Sequence, residues 1–392
     1  MNIERLYRFR EKNKRRKEGI RQVEEKYYYW LHNVPGIGKE TRRKLLEMES
    51  VKELFEGSLK NVKSILKKKQ IENMEESRRF WDLEEEWGRL QKRNIRFLSY
   101  KSREYPKKLL QIPDPPFCLY QKGNIECFQK PAVAVVGARN CSMYGGLAAK
   151  ELGKELAGNG IVVVSGMARG IDGMSQWAAL EQGGESIGVL GSGVEVCYPK
   201  ENRYLYEKLQ TQGSVLSESP PFTQPKSCLF PMRNRIISGL ADVVAVVEAG
   251  EKSGTLITVD MALEQGKEVF VMPGRMTDKY SRGCNKLIKQ GAGVILSPRE
   301  FVKEICHDMK LRYQKETEKK GVAFMKDLSS EERQVLFAIA GELKSIEEIY
   351  QEVKKRGQPM PLGKVMEVIL QLRMKQVVEE REGYYFTMCY VN

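Results

Sequence analysis

Between Ala132 and Leu296 the chain carries seven short apolar runs, at 132–137, 161–165, 186–190, 214–217, 242–247, 268–272 and 293–296. They are continuous in Val, Ile, Leu and Ala, without polar alternation, as expected of strands buried on both faces. The stretches between them, near 144–158, 171–182, 202–211, 232–240, 255–265 and 282–290, read as helices. Strands alternating with helices of about ten residues predict an α/β fold with a doubly wound, mostly parallel sheet. Such a sheet binds ligands outside the carboxyl ends of its strands. Glycines, serines and arginines collect at those ends, so an anionic ligand is expected there.

The flanks differ. Residues 1–30 alternate Arg/Lys with Glu at helical spacing and read as a basic, solvated helical tail. Residues 31–104 read as a helical module, with Leu54, Phe55, Ile65, Leu66, Phe80, Trp81, Trp87 and Leu90 as its core. Its start, Val34-Pro35-Gly36-Ile37-Gly38-Lys39-Glu40-Thr41-Arg42-Arg43, resembles the helix-hairpin-helix family of DNA-binding elements. In that family hairpin amides face a phosphate. Gly36, Gly38, Lys39 and Arg42 are thus a possible second DNA contact, and a packing module that only keeps the hairpin's shape is the other reading. Residues 105–300 hold the sheet behind a proline-rich lead, 105–124, read as an extended connector. A charged linker, 301–325, follows. Residues 326–392 show three amphipathic helices and a strand pair near Val377 and Tyr384-Tyr385-Phe386, which resembles a winged helix.

Charge narrows the function class. The net charge is +14, but residues 1–130 hold 32 Lys+Arg against 20 Asp+Glu, whereas 131–298 and 299–392 each hold 17 against 16. The basic excess favours an acidic partner such as nucleic acid. The near-neutral sheet region must bind an anion by local geometry. The eight cysteines have no CxxC spacing and only two histidines to assist them, so no metal site is expected and the thiols read as reduced. No apolar run approaches the ~20 residues of a membrane span, and no leader is recognised. The expectation is a cytoplasmic protein without membrane contact.

The first turn, Gly137-Ala138-Arg139-Asn140-Cys141-Ser142, lacks GxGxxG, and Gly191-Ser192-Gly193 lacks the third glycine, so a dinucleotide is disfavoured. No GxxxxGK[ST] supports an ATPase. Four turns, 137–142, 165–170, 191–193 and 253–255, can instead present backbone amides as adjacent anion nests. Gly137, Ser142, Ser165, Gly166, Gly170, Gly191, Gly193, Ser253, Gly254 and Thr255 are the candidates there, with Lys252 beside them. Arg139, Arg169, Arg233 and Arg235 can add guanidinium forks to phosphates, together with Asn234. For Arg235 a structural ion pair, for instance with Glu218, is an equal alternative. Asn285 and Lys286 complete the set. The carboxylates are scattered, neither histidine lies among the strands, and Asp172 reads as a helix cap or an arginine's partner, so no catalytic residue and no cofactor are expected.

Several strings together resemble the DprA/Smf family, the DNA-processing protein A of bacterial transformation. They include Gly137-Ala138-Arg139, Ser165-Gly166-x-Ala168-x-Gly170-Ile171-Asp172, Tyr198-Pro199, Ser253-Gly254-Thr255 and Gly283-Cys284-Asn285-Lys286. The most specific is Phe230-Pro231-x-Arg233-Asn234-Arg235-Ile236-Ile237. The matching strings span residues 105 to 298. Ala138, Phe222 and Glu195 stand where the family usually has serine, glycine and aspartate. The resemblance implies a Rossmann-like domain binding single-stranded DNA, with Arg139, Arg233 and Arg235 as phosphate contacts. It also implies homodimers and delivery of the coated strand to the RecA recombinase during transformation or recombination. A nucleotide-processing enzyme on a similar fold, such as a phosphoribohydrolase, is the alternative; it calls for Pro-Gly-Gly-x-Gly-Thr, where this chain has Pro273-Gly274-Arg275.

Overall fold

The apolar runs do form strands without exposed residues: Ala132–Val136, Val162–Ser165, Ser186–Leu190, Ser214–Ser217 and Val243–Val246 are buried throughout. The computed structural model describes residues 24–314, 328–339, 344–355, 360–375, 377–381 and 383–387. It divides into two compact units, one ending at Tyr313 and one beginning at Gln314. Among the described residues no helix is long and apolar enough to cross a membrane.

The first unit opens with helix α1 (24–33), α2 (Lys39–Met48), α3 (Val51–Glu56), α4 (Lys68–Phe80) and α5 (Leu83–Lys92). Then come β1 (Arg96–Ser99), β2 (Cys118–Gly123), β3 (Ala132–Val136), α6 (Met143–Gly158), β4 (Val162–Ser165), α7 (Ile171–Glu181) and β5 (Ser186–Leu190). The chain continues through α8 (Arg203–Gln212), β6 (Ser214–Ser217), α9 (Leu229–Leu240), β7 (Val243–Val246), α10 (Thr255–Glu264) and β8 (Glu268–Val271). It closes with α11 (Arg282–Lys289), β9 (Gly293–Val294) and α12 (Pro298–Asp308).

Among the described residues the sheet has nine strands in the order β1-β2-β6-β5-β4-β3-β7-β8-β9. From β6 to β9 all neighbours are parallel, whereas β1–β2 and β2–β6 are antiparallel. The parallel part therefore starts in the middle at β3, winds outward through β4 and β5 to β6, then returns over α9 to β7 and winds the other way. The winding reverses between β3 and β7, where successive connections leave to opposite faces and open a crevice. One face packs on α9, α10 and α11 through Ile236, Ile237, Val259 and Leu287. The other packs on α6, α7 and α12 through Leu152, Leu156, Ala179 and Phe301.

Several expectations change. The 31–104 segment is not wholly helical: β1 closes the sheet's antiparallel edge, and the helices before it share a core with the sheet through Trp30, Leu45, Phe97, Tyr120 and Val215. Four residues of strand at an edge are too short for periodicity to reveal. The lead is likewise no mere connector, since it contains β2. Nor is the end of the 1–30 segment solvated, because Tyr27, Tyr28, Tyr29 and Trp30 are buried. Tyr29 sits edge-on to Phe97 and to Trp81, with ring centres 5.3 Å apart in each pair, contacts worth roughly 0.5–1.5 kcal/mol each beyond area. Residues 1–23 lie outside the described residues. Phe80, expected in the core, is exposed. Finally, the 301–325 segment begins inside α12, which buries Phe301, Val302, Ile305 and Cys306.

The second unit comprises α13 (Ser330–Ile339), β10 (Lys344–Ser345), α14 (Ile346–Lys355), α15 (Leu362–Met374), β11 (Val378–Arg381) and β12 (Tyr384–Thr387). Its antiparallel sheet runs β10-β12-β11. Its core holds Leu336, Ile349, Val353, Val365, Ile369 and Leu372.

Candidate nucleic-acid interface

A cleft of about 920 Å³ opens where the sheet reverses its winding. The β3–α6 turn contributes Gly137, Ala138, Arg139 and Asn140, and the β7–α10 turn contributes Gly250, Lys252, Ser253, Gly254 and Thr255. The start of α9 adds Phe230, Pro231, Arg233 and Asn234, and Tyr198, Lys279 and Tyr280 close the rim. Arg139, Lys252 and Lys279 are exposed cations on this wall.

The two arginines of α9 have different surroundings from those expected. The helix begins at Leu229, three residues earlier than the periodicity predicts, so residues 233–235 lie beyond its first turn and do not offer free terminal amides. Arg233 reaches the cleft wall, yet its guanidinium is buried: Nη1 donates to Gly166 O at 2.8 Å and to Val189 O. Burial lowers its pKa to about 10, opposed by the neighbouring Asp172 carboxylate and reinforced by the positive charge of Arg139. Arg235 points away from the cleft. Its Nη2 donates to both oxygens of Glu218 at 2.8 Å and its Nε to Asp114 at 3.0 Å. It is therefore an internal fork, as the structural alternative anticipated.

The β4–α7 loop is held from all sides. Met167 has φ +53 and Gly170 φ +73. A Cβ at Gly170 would lie 2.3 Å from Ala138 O, so only glycine fits this left-handed position against the neighbouring turn. Asp172 Oδ2 accepts from Gly166 N at 3.1 Å, Gln176 Oε1 from Met167 N at 3.0 Å, and Asn202 Nδ2 donates to Met167 O and Ala168 O, both at 3.0 Å. Burial raises the Asp172 pKa, opposed first by Arg233. The residue is an arginine's partner, and its carboxylate is tied into the loop. Ser165 is fully buried and its hydroxyl donates to Val135 O at 2.6 Å, so it faces the sheet and not a ligand. Arg169 is exposed, 3.9 Å from Glu201, and lies off the cleft wall.

Most of the expected glycine nests serve packing. Added Cβ atoms would meet Ile171 at Gly137, the Arg233 guanidinium at Gly166, Phe230 at Gly191 and Pro220 O at Gly193, all within 2.8 Å. Gly254, by contrast, has open space before it. Beside it Ser253 Oγ accepts from Thr255 N at 3.2 Å at the start of α10. Ser142 caps α6 by accepting from Gly145 N at 3.0 Å, while its own N–H and hydroxyl donate to Glu248. Asn285 clasps the Gly274 backbone, donating to its O at 3.0 Å and accepting from its N at 3.2 Å, and Lys286 is exposed on α11 away from the cleft.

The N-terminal hairpin pairs its expected cations within the protein, although Lys39 stays exposed. Lys39 pairs with Asp114, and Arg42 lies 5.2 Å over the Phe117 ring while its Nε donates to Ile37 O at 3.1 Å. Gly36 takes φ +76, and its carbonyl accepts from Gln70 Nε2 at 2.9 Å. Gly36, Gly38 and Lys39 are exposed and can still meet a strand, the glycines through backbone amides and the lysine by leaving its pair with Asp114, whereas Arg42 is committed to Phe117 and Ile37.

Sequence reasoning missed the rings. Tyr198 and Phe230 stack with centres 5.4 Å apart and planes at 29°, and the Arg139 guanidinium lies 5.5 Å from the centre of the Phe230 ring. Lys279 lies 5.0 Å over Tyr280 on the same rim. An exposed cation beside exposed ring area can take phosphate and base of one nucleotide together. The signal was present in Tyr198-Pro199 and Phe230-Pro231, but nothing in spacing shows that residues so far apart in the chain stack.

The model of the family "DNA recombination-mediator protein A" matches residues 96–306. The chain is 45% identical over 212 residues to the DNA processing protein DprA of Bacillus subtilis, covering 54% of this chain and 71% of that one. It is 41% identical over 217 residues to the protein Smf of Escherichia coli, covering 55% and 58% respectively. The X-ray structure of DprA from Streptococcus pneumoniae superposes with a TM-score of 0.60 at 35% identity, over 71% of this chain and 97% of that one. The DNA processing protein A of Helicobacter pylori, described for its single-stranded DNA binding mode, gives 0.51 at 31% identity, over 55% and 96%.

Proposed function

The chain belongs to the DNA recombination-mediator protein A family, and from that premise we propose that it binds and protects single-stranded DNA in the cleft between β3 and β7. The observation that carries this reading is the cleft itself. It lies at the reversal of the sheet, with Arg139, Lys252 and Lys279 exposed around the stacked Tyr198–Phe230 pair. Cations neutralise phosphates without regard to sequence, and rings accept any base. A duplex hides its bases, so the rings favour an unpaired strand. The Helicobacter pylori relative is a single-stranded DNA binder, which supports the same ligand here.

The strand so held is handed to RecA during transformation or recombination, and the protein acts as a homodimer in the cytoplasm, as the family resemblance implies. The C-terminal unit serves as a winged-helix-like module: among the described residues, three helices with a three-stranded sheet support that assignment. The hairpin around Gly36 and Gly38 is a second strand contact, through its amides and the exposed Lys39. The reading includes no catalysis. Asp172, which lines the cleft, and Glu248, which braces its β3–α6 turn, are both buried in hydrogen bonds to main-chain N–H groups.

The test is fluorescence anisotropy of the full chain with a labelled oligo-dT and a blunt duplex of the same length. Tight binding of the single strand and weak binding of the duplex are expected; equal affinities refute the reading. RecA filament growth on strands coated by a single-strand binding protein, with and without the chain, tests the mediator role. Release of free base from nucleoside monophosphates would instead establish the enzyme.

A further inference from the structure

In nucleotide-binding sheets of this winding, the helix after the first strand points its amino end at a phosphate. Here that place is taken. Glu248, at the end of β7, is 2% exposed, and its carboxylate sits at the amino end of α6. Oε2 accepts from Ser142 N at 2.8 Å and Oε1 from the Ser142 hydroxyl, which in turn accepts from Gly145 N at 3.0 Å. Glycine at 145 makes the room: a Cβ there would lie 2.3 Å from the carboxyl carbon. The Glu248 backbone also accepts from Ala138 N at 2.8 Å, so the same residue braces the turn that carries Arg139. The negative charge is felt nearby, where it adds to burial in raising the Cys141 thiol and the Tyr144 hydroxyl.

We propose that Glu248 is a specificity-determining residue that acts as a built-in anion, refusing the phosphate of a free nucleotide and leaving the cleft to the internal phosphodiesters of a strand. The proposal rests on the reading of the cleft as a polynucleotide site. A phosphate entering the α6 terminus would meet a carboxylate about 4 Å away, and like charges at that distance in a protein-lined cleft cost on the order of a thousandfold in affinity. Arg139, exposed beyond the braced turn, remains available to a phosphodiester that passes outside.

The experiment is thermal unfolding of the full chain, wild type and Glu248→Ala, in inorganic phosphate or adenosine 5′-monophosphate against chloride at matched ionic strength. The wild type should show no saturable rise of Tm with either anion. Glu248→Ala should show one, saturating in the millimolar range, and Glu248→Ser should behave alike. Should neither variant fold in chloride, refolding yield is measured instead, and phosphate but not chloride should restore it. Saturable phosphate binding by the wild type, or none by the folded variants and no rescue of unfolded ones, overturns the proposal. These readouts need no DNA. A chain that fails to bind oligo-dT therefore refutes the cleft reading separately.

Discussion

Replacing Arg139 by alanine and Arg235 by methionine should separate a ligand contact from a structural fork, although both arginines belong to strings that resemble the same family. Arg139 is exposed on the cleft wall, whereas Arg235 is 7% exposed and holds Glu218 and Asp114. Each phosphate contact to a single strand contributes about 0.7 to the slope of log affinity against log salt. Losing one between 50 and 200 mM salt changes the ratio of wild-type to variant affinity by a factor of roughly 2.6. Removing Arg139, Lys252 and Lys279 together should lower the slope by about 2. Arg235→Met should leave the slope unaltered and act on stability. Breaking a buried ion pair costs ~3–5 kcal/mol when its partner stays buried. Glu218 and Asp114 retain 26% and 43% exposure of their side chains, which relieves part of that, so about 2–3 kcal/mol is expected. For a unit of about 300 residues that is a fall in Tm of roughly 3–5 °C. The assay is anisotropy with oligo-dT over a salt series, paired with thermal unfolding of each variant. A flattened slope for Arg235→Met without loss of Tm, or an unchanged slope for Arg139→Ala, would refute the assignment.

Two further outcomes follow from single contacts. Tyr198→Ala removes the outer ring of the stacked pair; it should weaken oligo-dT binding by the ~1–3 kcal/mol of one stacked base while leaving the salt slope in place, and a slope change would reassign Tyr198 to backbone contact. Glu25 accepts from Ser99 N at 2.9 Å and from the Ser99 hydroxyl at 2.6 Å, yet burial raises its pKa to about 7 from 4.5. A raised folded pKa means its favourable contribution is full below about 4.5 and is lost as pH climbs through about 7. Glu25→Gln keeps one of the two acceptors and cannot ionise, so it should stabilise the chain at pH 8 by on the order of 2 kcal/mol and flatten the pH dependence of denaturant midpoints between 5 and 7; a variant less stable at pH 8 than wild type would contradict this.

What local pattern can express, the chain's order of residues declared: continuous Val and Ile runs such as Val162-Val163-Val164 make strands buried on both faces, and their alternation with helices makes a doubly wound sheet. The end of the sheet where a ligand would sit followed from the same rule, and Arg139, Lys252 and Gly254 stand in turns that line the cleft there. Periodicity fails where elements are short or borrowed, as with β1 at the antiparallel edge and with the aromatic run from Tyr27 to Trp30, which looks solvated until it meets Phe97 and Tyr120. Partnership was decided only by tertiary structure. Arg139 and Arg235 are the same amino acid in neighbouring motifs, but one faces open solvent on the reversal crevice and the other meets two carboxylates brought in from residues 114 and 218. An ionic side chain's role depends on which charges the fold places within a few ångströms of it, and those distances exist only once strands far apart in the chain lie side by side.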